Sequence, residues 1–337
     1  MRVARLHAKG DVQLHEEECP ESAEGMSLVR VTDVGLCGSD LHWFADGQIG
    51  DAQIGQRPLV LGHEISGVVE AGPLAGTRVA VDPAIPCGGC ILCLQGQRNL
   101  CPTVRFAGHG EHDGGLREFM TWPTALLHPL PDAITTTEGA VLEPLGVAMH
   151  ALDLSGLRTG GSAAVMGCGP IGLLLVQLVL AAGAATVVAV DPLEHRRDAA
   201  LAFGAAISLA PEDLSDRGST VDTVGLLGVD VAFEVAGVND AVEQAIDVTM
   251  PGGRVVLVGI PEGDRTSFRA SVARRKGLTL MMARRMKEDV YPRGIRLVEQ
   301  GRVDASSVVT DRFPLERVED AFVQASSRSG LKVVVQP

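Results

Sequence analysis

Four of the seven cysteines in this chain fall in one short stretch, CGGCILCLQGQRNLC, at positions 87–101. Cys87, Cys90, Cys93 and Cys101 can supply four thiolates, the ligand set of a closed tetrahedral zinc site. A redox-active Cys-x-x-Cys pair is the alternative, but four cysteines so close together favour a metal-binding loop. Because a closed site has no position for substrate, the spacing predicts a structural zinc that ties down a lobe with little core of its own.

A second group of metal-ligand residues has mixed chemistry and is spread along the chain. GLCGSDLHWF contains Cys37, VLGHEISG contains His63 and Glu64, and LEPLGVAMHA contains Glu143. A thiolate, an imidazole and one carboxylate, with a fourth position left for water or substrate, form an open catalytic zinc site. Each residue alone would be unremarkable, since a single Cys or His in a β-rich domain usually fills the core.

Polar side chains on the loop after Cys37 extend this candidate site. Asp40 can accept a hydrogen bond from His63 and thereby set the tautomer of the imidazole. Ser39 offers a hydroxyl and His42 an imidazole nearer solvent, so the two residues predict a proton relay.

The segment AVMGCGPIGLLLVQLVLAAGAATVVAVD carries a Gly-x-Gly-x-x-Gly pattern between a predicted strand and a predicted helix. Gly167 permits the tight turn, Gly169 lets the backbone approach a pyrophosphate, and Gly172 allows close helix packing. The helix N-terminus then presents free amides to the phosphates. The alternative, that the glycines serve helix packing alone, leaves the complete strand–turn–helix–strand context unexplained, and Cys168 inside the pattern is interpreted as a small residue with room to fit.

A carboxylate follows the second strand of this unit. Asp191 lies about twenty residues beyond the glycines, where it can accept both ribose hydroxyls and repel a 2′-phosphate, which favours NAD over NADP. Arg196 and Arg197 come soon after it, and a basic residue there can stack on adenine or meet a phosphate. The predicted cofactor-binding residues are Gly167, Gly169, Pro170, Ile171, Gly172, Asp191, Arg196, Val258 and Gly259.

The elements that must position these residues change character along the chain. The first 140 residues or so read as short β-like runs broken by Gly and Pro, with little helical periodicity. From Ser162 strands alternate with helical stretches, which predicts an α/β fold with a doubly wound parallel (Rossmann) sheet. After about Leu280 a helix and final β-like runs are expected to rejoin the first domain.

Length and charge narrow the function classes. A chain of 337 residues suits two domains, and its net charge of −13 and its 3% aromatic content disfavour a nucleic-acid partner. The N-terminus lacks the apolar run of a signal peptide, and the most apolar segment, 171–182, is too short to span a bilayer. A cytoplasmic protein without membrane partners is expected, and clustered cysteines in that reducing compartment are more often metal ligands than disulfides.

The chain resembles the zinc-dependent medium-chain alcohol and polyol dehydrogenases over essentially its whole length. The motifs that carry the resemblance, in order, are GLCGSDLH, PLVLGHEISG, the four-cysteine lobe, DGGLREFM, EPLGVAMHA, GCGPIG, FEVAG and DRFPLE. The segment CGSDLHWFADGQIGDAQIGQRPLVLGHE is most similar to the sorbitol, xylitol and L-idonate 5-dehydrogenase branch. The order of so many motifs is far more specific than any one of them.

The resemblance implies a GroES-like catalytic domain at 1–144 with the structural zinc lobe at 87–101, an NAD-binding Rossmann domain at 145–284, and a C-terminal return at 285–337. It implies two Zn²⁺ per chain, one structural and one catalytic. Cys37 and His63 would hold the catalytic zinc, with Glu64 or Glu143 as the carboxylate and water completing the shell. It also implies NAD as cofactor, hydride transfer from a secondary alcohol of a polyol or sugar-derived substrate, and a homodimer or homotetramer.

The sequence departs from the polyol branch near the substrate. Trp43 stands where these enzymes often have tyrosine, which removes a hydroxyl, and the loop between Gly50 and Pro58 is one residue longer. The arginine that helps to hold polyols in the family corresponds to Arg284 or Arg285. Alternatives at this stage are a threonine-type or simple secondary-alcohol dehydrogenase and, outside that class, a non-catalytic NAD-binding protein or a thiol redox sensor.

Overall fold

The computed structural model describes residues 1–50, 52–55, 57–215 and 227–337. Within the loop between Gly50 and Pro58, Asp51 and Gln56 lie outside the described residues. The chain divides into two compact units, residues 1–144 with 287–337 (unit 1) and residues 145–286 (unit 2).

The strands are, in chain order, β1 (Arg2–Ala8), β2 (Asp11–Glu16), β3 (Met26–Gly35), β4 (Gln48–Ile49), β5 (Ala52–Gln53), β6 (Glu64–Ala71), β7 (Arg78–Val81), β8 (Ala84–Ile85), β9 (Arg105–Phe106), β10 (Phe119–Pro123), β11 (Leu127–Pro129), β12 (Ser162–Met166), β13 (Thr186–Val190), β14 (Ile207–Leu209), β15 (Val229–Glu234), β16 (Thr249–Leu257), β17 (Thr279–Met282), β18 (Val309–Pro314) and β19 (Lys332–Gln336).

The helices of the described residues are α1 (Gly38–Asp46), α2 (Ile91–Leu94), α3 (Thr136–Ser155), α4 (Pro170–Ala181), α5 (Glu194–Ala202), α6 (Asn239–Val248), α7 (Ala270–Lys276), α8 (Val290–Glu299) and α9 (Val318–Ser327). No helix within the described ranges is long and apolar enough to cross a bilayer.

Unit 1 is built on a sheet with the strand order β11-β7-β6-β3-β19-β18, and β10 also pairs with β3. The long strand β3 is central: it pairs antiparallel with β6, β10 and β19. Alternating buried residues such as Val29 and Val31 turn one face of β3 into the core, as expected for a half-buried strand. β19 belongs to this sheet, so the C-terminal segment completes the unit in which the chain begins.

Helix α1 follows directly from β3 and is held by that core. Phe44 stacks on Phe322 of α9 with ring centroids 4.8 Å apart, and Trp43 is buried against the edge of the His109 ring. Trp43 is therefore a core residue, which gives a packing role to the position where the polyol branch that this chain resembles often has tyrosine.

Unit 2 contains six parallel strands in the order β14-β13-β12-β15-β16-β17. Counted from β12, this is the 3-2-1-4-5-6 order of a doubly wound sheet, which confirms the predicted Rossmann architecture. The strands read as continuous apolar runs, SAAVM in β12 and TVVAV in β13, because helices cover both faces of such a sheet.

Candidate catalytic metal centre and cofactor site

The open set of predicted ligands converges at the end of β3. Ligand atoms of Cys37, His63 and Glu64 all lie within 4.8 Å of one another. The antiparallel register of β3 and β6 pairs Gly35 with Glu64, so the residues just after β3 meet those at the start of β6. Strand pairing thus brings together Cys37 and His63, which are 26 positions apart along the chain. The set combines a sulfur, a nitrogen and an oxygen donor.

Asp40 holds the two loops of this site together. One carboxylate oxygen, Oδ2, accepts the backbone N–H of Cys37 at 2.9 Å, and the other, Oδ1, accepts that of Gly62 at 3.1 Å. Oδ1 also faces His63 Nδ1 at 3.6 Å, which leaves Nε2 as the nitrogen turned away from Asp40. Burial acts to lower the pKa of His63, but the charge of Asp40 outweighs it and raises that pKa well above its usual value.

Glu64 is fully buried, and its two carboxylate oxygens have different surroundings. Oε1 accepts a hydrogen bond from Lys332 Nζ at 2.5 Å, whereas Oε2 is buried with no hydrogen-bond partner. A Cβ at Gly35 would overlap Oε2, so glycine at that position makes room for the carboxylate. A buried carboxylate with one unpartnered oxygen, grouped with a thiol and an imidazole, is a donor set that zinc fits.

Lys332 enters from β19, next to the end of β3. Its ammonium also donates to the backbone oxygen of Leu36 at 3.1 Å, one residue before Cys37. Burial acts to lower the pKa of Lys332, but Glu64 and Cys37 raise it above its usual value, so the side chain stays charged.

Glu143 lies on α3 and is buried, but its carboxylate is not part of the three-residue set. Burial raises the pKa of Glu143 to about 7; the charge of His63 opposes the rise, and that of Glu64 adds to it. Glu143 is thus close enough to His63 and Glu64 to interact with their charges. Of the two glutamates left open by the sequence, the structure places Glu64 with Cys37 and His63.

The two predicted relay residues lie on α1, which begins immediately after Cys37. Ser39 is half-buried in the first turn, and His42 is three residues further on, so both lie on one side of the helix. The side chain of His42 is 33% exposed, and its Nδ1 lies 3.2 Å from Asp46 Oδ2. Both side chains are thus partly exposed, and their role as a proton relay stays a prediction.

The four-cysteine lobe forms the second cluster. The Sγ atoms of Cys87, Cys90, Cys93 and Cys101 lie within 4.8 Å of one another, and all four are free thiols. Backbone amides turn inward onto them: Cys90 N lies 3.4 Å from Cys87 Sγ, and Cys93 N lies 3.5 Å from Cys90 Sγ. Hydrogen bonds from the amides of Gly89 and Cys90 lower the pKa of Cys87 to about 6, which favours the thiolate that zinc binds.

In unit 2 the glycine pattern forms a close turn between β12 and α4. Gly167 has a positive φ of 101°, and a Cβ there would meet the backbone nitrogen of Ala236 at 2.9 Å. A Cβ at Gly172 would overlap the backbone oxygen of Gly167, so the third glycine allows close packing of α4. Gly169 is the N-cap of α4, with Pro170 and Ile171 as its first helical residues.

The other predicted cofactor residues surround the same strand ends. Asp191 follows β13; Oδ2 accepts the N–H of Cys168 at 2.7 Å, and Oδ1 accepts that of Leu193 at 2.9 Å. Val258 and Gly259 follow β16, and both donate their amide to the backbone oxygen of Glu234. All these residues therefore lie at the carboxyl ends of parallel strands, where doubly wound sheets bind their ligands.

Two arginines follow Asp191. Arg197 folds back to donate to the backbone oxygens of Asp191 and Pro192 at 2.9 and 2.8 Å. Arg196 reaches the glycine turn, because a Cβ at Gly169 would lie 3.8 Å from its Nη1. Arg196 is thus the arginine positioned beside the phosphate-binding turn. Cys168 is fully buried, and burial raises the pKa of its thiol to about 12, as for an inert packing residue.

Two residues of the metal centre were missed in the sequence, Lys332 and Gly35. Lys332 stands at the start of the apolar strand KVVVQ, and a charged residue leading into a buried run was an available signal. Gly35 carried no comparable signal, since its role depends on which side chain lies opposite it in β6.

Comparisons with known proteins agree with this architecture. Residues 23–132 match the family described as "Alcohol dehydrogenase GroES-like domain", and residues 170–300 match "Zinc-binding dehydrogenase". Sorbitol dehydrogenase of Bacillus subtilis is 32% identical, covering 100% of this chain and 97% of its own.

Two solved structures are similar over the whole chain. L-idonate 5-dehydrogenase of Escherichia coli K-12 has a TM-score of 0.91 at 28% identity and covers 100% of this chain and 98% of its own. A putative zinc-binding dehydrogenase of Sinorhizobium meliloti, bound to NADP, has a TM-score of 0.88 at 31% identity, with 100% and 99% covered.

The chain belongs to the family of zinc-dependent medium-chain alcohol and polyol dehydrogenases. This confirms the family resemblance, and the match to residues 23–132 confirms the expected GroES-like domain beside the Rossmann sheet.

Proposed function

We propose that this protein is an NAD-dependent zinc oxidoreductase that transfers hydride from a secondary alcohol of a polyol or sugar-derived substrate. The observation that carries the proposal is the convergence of ligand atoms of Cys37, His63 and Glu64 within 4.8 Å, in which Glu64 also has a buried oxygen without a hydrogen-bond partner. This mixed set leaves a fourth position for substrate, as an open zinc site requires. The same chain has a complete dinucleotide-binding fingerprint, which would bind the NAD that accepts the hydride.

Each unit has a distinct part in this function. We assign catalysis to unit 1, with Cys37, His63 and Glu64 as the resting zinc ligands and Glu143 as a nearby second carboxylate. The four cysteines at 87–101 would hold a structural zinc. Unit 2 would bind NAD through the glycine turn and Asp191, with the domain limits near residues 144 and 285 expected from the sequence.

When bound, zinc supplies Lewis-acid polarisation of the alcohol oxygen, and NAD accepts the hydride. Asp40 keeps His63 and the backbone of Cys37 in place through its hydrogen bonds and its charge. Ser39 takes up the proton released from the substrate hydroxyl. His42, one third exposed and three residues along the same helix, would pass the proton from Ser39 on to solvent through its imidazole.

The substrate class is supported by the relatives of this chain. Proteins named for sorbitol and L-idonate, both polyhydroxylated, are similar to this chain over its full length. Arg284 or Arg285 would hold the hydroxyls remote from the reacting carbon, as the family resemblance implies. Phe106 packs against the His63 ring at 5.2 Å and adds an apolar surface beside that ligand.

We further propose a cytoplasmic homodimer or homotetramer without nucleic-acid or membrane partners. The seven cysteines are all free thiols, which suits a reducing compartment. β17 ends the strand order of the sheet in unit 2, and its last residue, Met282, is 69% exposed, so this edge is the candidate contact between subunits. Light scattering coupled to size-exclusion chromatography measures the oligomer directly.

The test of the proposed reaction is a screen of NADH formation over polyols, sugar acids, inositols, simple secondary alcohols and L-threonine. We expect the highest kcat/KM for a polyol or sugar acid. The active enzyme should contain two zinc ions per chain. Turnover of threonine or simple alcohols alone would overturn the substrate class. Zinc-loaded protein that oxidises none of these compounds would overturn the proposed reaction.

The cofactor assignment has its own test in Asp191→Ala. Loss of the carboxylate removes the repulsion of a 2′-phosphate, so we expect the NAD/NADP ratio of kcat/KM to fall by about tenfold or more. Asp198→Ala, on the same helix α5 as Arg196, is the matched control and should leave the ratio unchanged. An unchanged ratio in Asp191→Ala would overturn the assignment.

A further inference from the structure

We propose that Lys332 is a positioning residue that restrains Glu64 to a single metal-facing oxygen and keeps the fourth position of the zinc site open. The inference rests on the proposed function, because it concerns the same site. Lys332 was recognised in neither the motif pattern nor the family resemblance. It enters this site from the last strand of the chain.

The first step of the argument is that Lys332 is fixed on both sides. β19 runs antiparallel to β3 with Val334 opposite Gly35, so Lys332 comes to the end of β3. There its ammonium donates to Leu36 O at 3.1 Å and to Glu64 Oε1 at 2.5 Å, and both side chains of the ion pair are buried. A buried pair of this kind has little freedom to rearrange while both partners remain.

The second step concerns the two oxygens of Glu64. Oε1 is taken by Lys332, and Oε2, which lies in the space left by the missing side chain of Gly35, has no hydrogen-bond partner. A free carboxylate can approach a metal ion with one oxygen or with both. With Oε1 hydrogen-bonded to an ammonium, Oε2 is the better donor, so binding of a metal through both oxygens is disfavoured.

The third step is electrostatic. Lys332 Nζ lies 2.5 Å from Glu64 Oε1, and both side chains are buried, so the ammonium stands next to a proposed zinc ligand. A positive charge at this position weakens the binding of a divalent cation nearby. Lys332 therefore lowers the affinity of the site for zinc below that of its anionic ligands alone. The same residue keeps one coordination position open.

The experiment measures zinc release to a chromogenic chelator from the full-length zinc-loaded enzyme. In Lys332→Met, we expect zinc to leave the Cys37–His63–Glu64 site at least about tenfold more slowly, because a repelling charge is gone and Oε1 is free. The KM for the alcohol should rise, since Glu64 then competes for the open position. Lys332→Arg, which keeps the charge and a donor, should stay near the wild type, as should Lys9→Met on the surface.

Two further measurements separate this role from a merely structural one. In a Glu64→Gln background, Lys332→Met should slow zinc release by less than it does with Glu64 present, because only the loss of the repelling charge then remains. Release from the four-cysteine lobe should be the same in all variants. If Lys332→Met does not fold, Lys332→Gln, which keeps a hydrogen-bond donor without the charge, should still slow zinc release because the repelling charge is gone. Zinc release at the wild-type rate or faster in the neutral variants would overturn the inference, whereas absence of zinc or turnover in the wild type would instead overturn the proposed function.

Discussion

The two metal-ligand clusters of this protein are assembled in opposite ways. The four cysteines lie within one loop and one short helix, and the protein adds mainly backbone amides that point at the sulfur atoms. The set of Cys37, His63 and Glu64 is brought together by the pairing of β3 with β6, and a carboxylate and an ammonium from other elements hold it in place.

This difference separates a site that stabilises structure from a site that reacts. Four thiolates saturate a tetrahedral zinc ion, so the lobe has no position for a substrate. Three mixed ligands leave a position open, and keeping it open requires supports such as Asp40 and Lys332 that are not ligands themselves. The loop with the most conspicuous cysteines is therefore the one we assign no part in the chemistry.

The largest effect is expected at the open site. In Cys37→Ala or His63→Ala the zinc site loses a ligand, and NADH formation should fall by at least about 10,000-fold, since metal polarisation contributes several kcal/mol to the barrier. NAD binding, measured by calorimetry, should be retained because unit 2 is untouched. Cys19→Ala, an exposed thiol outside both clusters, is the control. Turnover close to the wild type in either variant would contradict a reactive role for this site.

The next largest effect is expected at the closed site, and it concerns the stability of the protein rather than its activity. Cys90→Ser combined with Cys101→Ser should remove one zinc per chain and lower the free energy of unfolding, on the order of 4 kcal/mol, because metal binding there is coupled to folding. Denaturant titration measures the loss, and kcat of the folded fraction at low temperature should be retained. A full loss of kcat at unchanged stability would reverse the roles of the two clusters.

A smaller effect is expected when a support of the open site is weakened without removal of a ligand. In Asp40→Asn the charge beside His63 is lost, so zinc affinity and kcat should each fall by about 10- to 100-fold. Asp132→Asn is the matched control, since the Asp132 side chain is fully exposed. An Asp40→Asn enzyme with wild-type zinc affinity would show that the ligands hold the site without this support.

The comparison also explains what could be predicted from the sequence. The cysteine lobe and the glycine turn are local patterns whose spacing carries their geometry, and the predicted doubly wound parallel sheet is confirmed. The grouping of Glu64 rather than Glu143 with Cys37 and His63 depends on strand register across unit 1, which no local pattern contains. Lys332 lies 268 residues from Glu64 along the chain, so its place in the site depends on strand pairing for the same reason.

Helix α1 is a further element that the sequence pattern did not predict. The helix is only nine residues long and follows a strand closely. A segment this short does not show a clear helical pattern of apolar residues. Asp40 in its first turn accepts the amide of Cys37, so the helix start and the metal centre share one carboxylate. The same carboxylate faces His63, so the residue that caps the helix also helps to hold a proposed zinc ligand.

The most direct test of the two-site account is anomalous diffraction at the zinc edge from crystals of the enzyme with NAD. The account predicts two peaks per chain. One should be surrounded by the four cysteine sulfurs, and the other by Cys37, His63 and one glutamate, with a solvent-filled fourth position. A single peak at the cysteine lobe, or a second peak with four protein ligands and no open position, would contradict it.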